Sequence, residues 1–126
     1  MIEFILDASA ILAVLQNESG KEKVEVILDS SAIGRVNLTE ILTSLINKGS
    51  SLEDAVAAVD SLEIPVIEFD RVQSERSAKL RPLTKHLGLS LGDRACLALA
   101  IEKDATAVTA DRNWTKLNFC KIETIR

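Results

Sequence analysis

Short apolar runs alternate along this chain with longer segments in which apolar residues recur at helical spacing. Five apolar runs predict strands at Ile2–Leu6, Ala32–Val36, Pro65–Glu68, Thr106–Thr109 and Lys121–Thr124. Helical periodicity predicts helices at Ser9–Leu15, Lys21–Leu28, Leu38–Asn47, Leu52–Leu62, Asp70 to about Lys85, and Leu91–Lys103. This alternation is typical of an α/β fold with a mainly parallel central sheet, and it predicts one domain over residues 1–126.

Acidic residues stand where predicted strands and helices meet. Asp7 follows the first strand, and Asp111 follows the strand Thr106–Thr109. Glu40 lies in the predicted first turn of the helix after the second strand, and Asp93 lies in the first turn of the helix that leads into Thr106–Thr109. All four positions belong to the carboxyl edge of a parallel sheet, where open α/β folds bind ligands. We therefore expect the four carboxylates to lie close together.

Each acid also has an ordinary structural explanation as part of a helix cap. Glu40 and Asp93 each follow a capping residue by three positions, which is the spacing of a capping box. Asp7 and Asp111 suit N-cap positions, where the helix dipole favours a negative charge. Four carboxylates at one edge repel one another unless cations share the site, and such hard oxygen ligands suit Mg²⁺ or Mn²⁺. Capping explains each acid singly, and a metal site explains them together.

Composition narrows the possible chemistry. The chain has 126 residues, of which 47% are hydrophobic and 3% aromatic, so aliphatic side chains must fill the core. The cysteines, Cys96 and Cys120, have no CxxC or histidine partner nearby, which argues against a zinc site and a disulfide framework. Cys96 stands in an apolar helical run and is predicted to be a small buried hydrophobe. Only one histidine, His86, is present, and no nucleophile motif accompanies it.

The formal net charge of −4 argues on its face against a protein that binds nucleic acid. Without the four site carboxylates the charge would be zero, and bound cations would offset them, so the charge does not decide the question. The N-terminal segment carries Glu3 and Asp7 without a basic leader, and no stretch reaches the ~20 apolar residues that span a membrane. We expect a cytoplasmic protein with no membrane partner.

Four segments around the acids resemble the motifs of PIN-domain nucleases, and among these the VapC-type toxins of toxin–antitoxin pairs. The segments are Ile5–Ser9, Val36–Ile41, Gly88–Asp93 and Val108–Trp114, with the sequences ILDAS, VNLTEI, GLSLGD and VTADRNW. Each motif is weak alone, whereas the four in this order and spacing are specific. The likeness extends from residue 2 to residue 125.

The resemblance implies a three-layer α/β/α sandwich and the hydrolysis of RNA phosphodiester bonds at a site for Mg²⁺ or Mn²⁺. It also implies a homodimer and a cognate antitoxin protein that occludes the site. The family's metal-binding and catalytic acids match Asp7, Glu40, Asp93 and Asp111. Its supporting polar positions match Ser9, Asn37 and Thr109. Which carboxylate acts as the general base stays open, with Asp93 and Asp7 as candidates.

Other residues near the acids give weaker signals. Candidates for contacts with RNA phosphates are Arg94, Arg112 and Lys116, although surface cations are often only solvated. The hydroxyls of Ser9 and Thr109 equally suit a helix start and a strand end, and Asn37 equally suits an N-cap. Trp114 is predicted to anchor its loop in the core rather than to stack on a base.

Two other functions stay open at this point. A receiver-type or other Mg²⁺-dependent phosphoryl-transfer domain also gathers acids at a sheet edge, but a receiver needs paired acids after its first strand, where this chain has only Asp7. The second alternative is a catalytically silent PIN-like binding module, against which the complete acid set argues. A phosphate-binding loop is not supported, because the chain has no GxxxxGK[ST] motif.

Overall fold

A computed structural model describes residues 1–126 and contains one five-stranded sheet. Its strands are β1 (Phe4–Leu6), β2 (Ser31–Gly34), β3 (Val66–Ile67), β4 (Thr106–Thr109) and β5 (Ile122–Thr124). The order across the sheet is β3-β2-β1-β4-β5, and every neighbouring pair is parallel. The strands β2 and β3 lie on one side of β1. The strands β4 and β5 lie on its other side. The direction of winding therefore reverses between β1 and β4, which is the switch point where such sheets bind ligands.

Seven α-helices connect the strands. They are α1 (Ala8–Leu15), α2 (Lys21–Glu25), α3 (Arg35–Asn47), α4 (Leu52–Asp60), α5 (Arg71–Lys79), α6 (Arg81–Thr84) and α7 (Leu91–Glu102). Short 3₁₀ turns occur at Leu28–Ser30, Lys85–Leu87 and Arg112–Lys116. None of the helices is both long enough and apolar enough to cross a membrane.

The sheet separates two hydrophobic cores, which confirms the three-layer α/β/α arrangement. Successive residues of a strand point to opposite faces, so Ile5 and Ala107 pack into one core and Leu6 and Val108 pack into the other. The first core is dominated by α7, whose residues 95–100 are all buried. The second core is filled from α1, α3 and α4. Helices on both faces bury both sides of the parallel strands.

The strand predicted at Ala32–Val36 ends earlier than its apolar residues suggested. β2 stops at Gly34, whose extended backbone (φ −87°, ψ 160°) precedes α3, and the helix begins at Arg35. Val36 is therefore helical. A short apolar run does not by itself distinguish a strand from the first turn of a partly buried helix.

Two predicted helices are also shorter in the structure. The helix predicted at Lys21–Leu28 ends at Glu25 and gives way to a 3₁₀ turn. The helix predicted over residues 70–85 ends at Lys79, and Pro82 stands at the start of α6. Proline lacks the N–H group of a helix interior and its ring clashes with the preceding turn, so the chain restarts a helix there.

The apolar residues of α3 and α4 are only partly buried. Ile41 and Val59 lie in the core, whereas Ile46, Leu52 and Val56 have exposed fractions of 43%, 54% and 38%. Val56 and Val59 are three positions apart on α4, and only Val59 is buried. A hydrophobic stripe identifies the face of a helix but does not tell how far the neighbouring elements cover it.

Candidate active site

Asp7 is the most enclosed carboxylate of the site, with an exposed fraction of 5%. It follows β1 and caps α1, because its Oδ1 accepts hydrogen bonds from the backbone N–H of Ala10 (2.9 Å) and the hydroxyl of Ser9 (2.6 Å). Its Oδ2 accepts a hydrogen bond from Thr109 Oγ1 at 2.6 Å. Asp7 is therefore both an N-cap and a buried anion that hydroxyl groups hold in one orientation.

Burial raises the pKa of Asp7 from 3.8 to about 6, because a carboxylate loses its hydration when it is enclosed. The hydrogen bonds from Ser9, Thr109 and Ala10 oppose this shift, and the negative charge of Asp93 adds to it. The structure has three ion pairs, Arg35–Glu68, Arg71–Glu75 and Lys121–Asp104, and Asp7 takes part in none of them. Hydrogen bonds from the neutral donors Ser9, Ala10 and Thr109, rather than an ion pair, therefore stabilise the negative charge of Asp7.

Two hydroxyl groups join the ends of β1 and β4 across the switch point. Thr109 Oγ1, which donates to Asp7, accepts a hydrogen bond from the backbone N–H of Asp111 at 3.1 Å. Ser9 Oγ accepts one from the backbone N–H of Ala110 at 2.9 Å. The carboxylate of Asp111 itself is exposed and caps the 3₁₀ turn that follows it, through the N–H of Asn113 at 2.9 Å.

Glu40 enters the site from α3, one turn later than the sequence analysis placed it. Because α3 begins at Arg35, Glu40 lies in the second turn, and Gly34 occupies the N-cap position considered for Asn37. The side-chain Nδ2 of Asn37 instead donates to Glu40 Oε1 at 2.9 Å and to the carbonyl oxygen of Gly92 at 3.1 Å. This amide is buried and connects α3 to the start of α7.

Asp93 lies in the first turn of α7. The capping box predicted for Ser90 and Asp93 is present: Asp93 Oδ2 accepts from the N–H of Ser90 at 2.9 Å, and Ser90 Oγ accepts from the N–H of Asp93 at 3.2 Å. The charge of Asp93 raises the pKa of both Asp7 and Glu40. For Glu40, burial is the larger cause of the raised pKa, and the hydrogen bond from Asn37 opposes it.

The donor set fits a hard divalent cation in its chemistry, although the side chains as placed do not form a ligand cage. Asp7, Glu40, Asp93 and Asp111 offer only oxygen atoms, and none of them has a cationic partner. No three acidic, histidine or cysteine side chains are arranged so that they could hold one ion. Three of the four carboxylates accept hydrogen bonds from backbone N–H groups, so gathering the set around one ion requires some of these side chains to turn.

Comparison with known families shows which family the chain belongs to. The family model described as PIN domain matches residues 4–119. The chain is a PIN domain. No curated protein matches its sequence.

Solved structures with the same fold come from several bacteria. DNA-bound VapBC from Salmonella typhimurium is 18% identical, with a TM-score of 0.80 and coverage of 100% of both chains. VapBC2 from Rickettsia felis bound to a promoter DNA fragment is 18% identical, with a TM-score of 0.76 and coverage of 98% of both chains. The sarcin–ricin loop cleaving toxin VapC20 of Mycobacterium tuberculosis is 16% identical, with a TM-score of 0.73 over 90% of this chain and 94% of that chain.

The basic residues considered for RNA contacts have different surroundings in this PIN domain. Arg94 is half-buried and donates from its guanidinium group to the carbonyl oxygen of Ser77 at 2.9 Å, so it joins α7 to α5. Arg112 is exposed and donates through Nε to the backbone oxygen of Arg126 at 2.9 Å. Lys116 is also exposed. Contacts of these residues with RNA stay predictions.

Two predicted core residues and one unpredicted residue complete the site. Trp114 is fully buried, which confirms it as an anchor beneath the turn that Asp111 begins. Cys96 is also fully buried, and burial raises the pKa of its thiol well above the usual value, which makes it unreactive. Gly92, which lies against Glu40, was not among the predicted site residues. Its signal was a glycine directly before Asp93 in an alanine-rich helix.

Thr109→Val tests how the PIN domain holds its buried acid. We expect the pKa of Asp7 to rise above about 6, since the hydroxyl group favours the ionised carboxylate. The N–H of Asp111 also loses its acceptor, which costs about 1–2 kcal/mol of folding free energy. Carbon-13 NMR titration of the Asp7 carboxyl group measures the pKa, with Thr109→Ser as the control that keeps the hydroxyl. An unchanged or lower pKa in Thr109→Val contradicts this explanation.

Proposed function

We propose that this PIN domain is an endoribonuclease that depends on Mg²⁺ or Mn²⁺ and acts as the toxin of a VapBC-type toxin–antitoxin pair. The observation that carries the proposal is that the negative charge of Asp93 acts on both Asp7 and Glu40, while none of these three acids has a cationic partner. Burying part of this negative charge is costly for folding. A fold that retains such a cluster commonly uses it for function.

Each acidic residue has a part in the proposed reaction. Asp7, held by Ser9 and Thr109, and its neighbours Glu40 and Asp93 would bind the cation through carboxylate oxygens. A divalent cation bound there supplies a Lewis acid that polarises water and offsets the charge of the phosphodiester. Asp93 or Asp7 accepts the proton of the attacking water. A pKa of about 6 in the metal-free fold leaves Asp7 largely ionised near neutral pH, so its carboxylate is available to a cation.

Asp111 is proposed as the outer ligand of the set. Its carboxylate is the most exposed of the four, and its backbone N–H donates to the same Thr109 hydroxyl that donates to Asp7. An exposed carboxylate is free to turn, so Asp111 would add an oxygen ligand to a cation held at the site. The exposed guanidinium of Arg112 stands next in the chain and is proposed to contact the RNA backbone.

Structural relatives support RNA as the substrate and an antitoxin as the partner. VapC20 of M. tuberculosis is named as a toxin that cleaves the sarcin–ricin loop, and the Salmonella and Rickettsia structures are VapBC complexes. We extend the proposal to a cognate antitoxin and to a homodimer in the cytoplasm. The partly exposed apolar side chains Ile46, Leu52 and Val56 on α3 and α4 give such a partner an apolar surface to cover.

The strand order excludes one of the two alternative functions and leaves the other open. Receiver domains use the strand order 2-1-3-4-5, and the order 3-2-1-4-5 seen here differs from it, so the receiver alternative is wrong. A catalytically silent PIN-like module stays a possible alternative, and only a cleavage measurement separates it from the nuclease.

A cleavage experiment on RNA tests the proposal. We expect the protein to cut total RNA and a sarcin–ricin loop fragment with Mn²⁺ or Mg²⁺, and to stop when EDTA removes the metal. Asp93→Asn should lower the rate by about 10²-fold or more, because it removes one of the charges that hold the cation. Asp60→Asn is the matched control, since Asp60 is exposed on α4, outside the site. Cleavage that persists in EDTA or in Asp93→Asn contradicts the proposal.

A further inference from the structure

Gly92 is the second residue of α7 and has no backbone reason to be glycine. Its φ is not positive, unlike those of Gly20, Gly49 and Gly88, so an L-residue fits its conformation. Alanine is the better helix former, and α7 already uses alanine at several buried positions. The reason for a glycine must therefore lie in what surrounds the position.

A Cβ atom at residue 92 would overlap the carboxylate of Glu40. Both carboxylate oxygens and the Cδ of Glu40 would lie closer to it than 3.0 Å, a distance that real Cβ atoms essentially never show. At Gly34, the other glycine without a positive φ, a Cβ would meet its nearest neighbour only at 3.4 Å. The overlap is thus specific to Gly92, and the group that would have to move is the end of one side chain.

Asn37 holds the Glu40 carboxylate in its position next to Gly92. Its buried amide donates to Glu40 Oε1 and to the carbonyl oxygen of Gly92 at the same time. The Glu40 carboxylate is therefore held by Asn37 against the bare backbone of the first turn of α7. Asp93, the next residue along that turn, interacts electrostatically with Glu40. Without the space at residue 92, the carboxylate of Glu40 would have to leave this position.

We infer that Gly92 is a positioning residue, whose missing side chain seats the Glu40 carboxylate beside Asp93 and so sets the geometry of the cation site. One part of the inference, the effect of Gly92 on Mn²⁺ binding, rests on the proposed function. The seating of Glu40 is itself a property of the metal-free fold. The two parts can therefore be measured separately.

A double-mutant cycle on the full chain measures the seating. The variants are Gly92→Ala, Glu40→Ala and the combination of both, with thermal unfolding followed in EDTA. We expect Gly92→Ala to lower the unfolding midpoint when Glu40 is present. In the Glu40→Ala background it should not lower the midpoint, because the space is then free and alanine favours the helix. Leu91→Ala, in the same turn with an exposed side chain, is the control and should give equal shifts in both backgrounds.

Mn²⁺ titration by calorimetry measures the consequence. Gly92→Ala should weaken Mn²⁺ binding by about 10-fold or more, as changes to groups that orient ligands do. Gly92→Ala combined with Glu40→Asp, whose side chain is one methylene shorter, should recover part of this loss. In the Glu40→Ala background Gly92→Ala should change the affinity by less than about twofold.

The outcomes separate this inference from the proposed function. Equal midpoint shifts for Gly92→Ala with and without Glu40, or undiminished Mn²⁺ binding by Gly92→Ala, overturn the inference. If the unmodified protein binds no Mn²⁺ while the midpoint shifts remain unequal, the proposed function fails and the seating of Glu40 by Gly92 stands.

Discussion

Asp7→Asn should abolish RNA cleavage and at the same time make the metal-free protein more stable. The substitution removes the most enclosed charge of the four proposed cation ligands, so the rate should fall by about 10³-fold or more. Asparagine retains a carbonyl oxygen that can accept the N–H of Ala10 and so keep the cap of α1. A residue needed only for folding would not behave in this way.

The gain in stability follows from the direction of the pKa shift. The folded state raises the pKa of Asp7 from 3.8 to about 6, so folding favours the protonated carboxyl group. The resulting stabilisation is fully present below pH 3.8 and is lost as the pH rises through about 6. At pH 7.5 the ionised carboxylate then costs up to about 3 kcal/mol, a cost that the neutral amide does not have.

Denaturant unfolding in EDTA at two pH values measures this effect. At pH 7.5 Asp7→Asn should exceed the unmodified protein in its free energy of unfolding, and near pH 4 the difference should largely disappear. Asp60→Asn, at an exposed position, should change neither cleavage nor the pH dependence. Full cleavage by Asp7→Asn, or a loss of stability at pH 7.5, would remove Asp7 from the centre of the site.

Trp114→Ala should cause the largest loss of stability of any single change considered. Trp114 is the only tryptophan, is fully buried, and packs in the core that contains α7. Truncation to alanine leaves a cavity and costs about 3–5 kcal/mol, a large part of the stability of a domain of this size. Because Trp114 lies in the turn that Asp111 caps, the position of that carboxylate should be lost as well.

Trp114→Phe is the matched control for this prediction. The indole Nε1 is buried without a hydrogen-bond partner, so phenylalanine removes volume but no bond and should cost about half as much or less. Circular dichroism follows unfolding, since both variants lack the fluorescent indole. If both substitutions instead left stability unchanged and weakened RNA binding, Trp114 would be a base-stacking residue and its role as a core anchor would be wrong.

The periodicity of the sequence predicted the order of elements because it depends on neighbours along the chain. All five predicted strands occur, and the helices that separate the first four strands along the chain account for their parallel arrangement. Only a 3₁₀ turn separates β4 from β5, so the parallel pairing of these two did not follow from helical periodicity. The capping box at Ser90 and Asp93 was also predictable, since a cap involves residues three positions apart. The start of α3 could not be predicted, because the apolar residue Val36 suits a strand and a helix equally.

The amino-acid sequence by itself determined which acids stand at the ends of strands and starts of helices, and therefore which edge of the sheet is negatively charged. Only the tertiary structure decided how these acids meet: that Thr109 bonds to Asp7 from a strand 102 positions away, that burial raises the pKa of Asp7, and that Gly92 makes room for Glu40. Local patterns arise from the backbone within a few residues. Burial and contact between distant side chains arise from packing, which no short stretch of sequence contains.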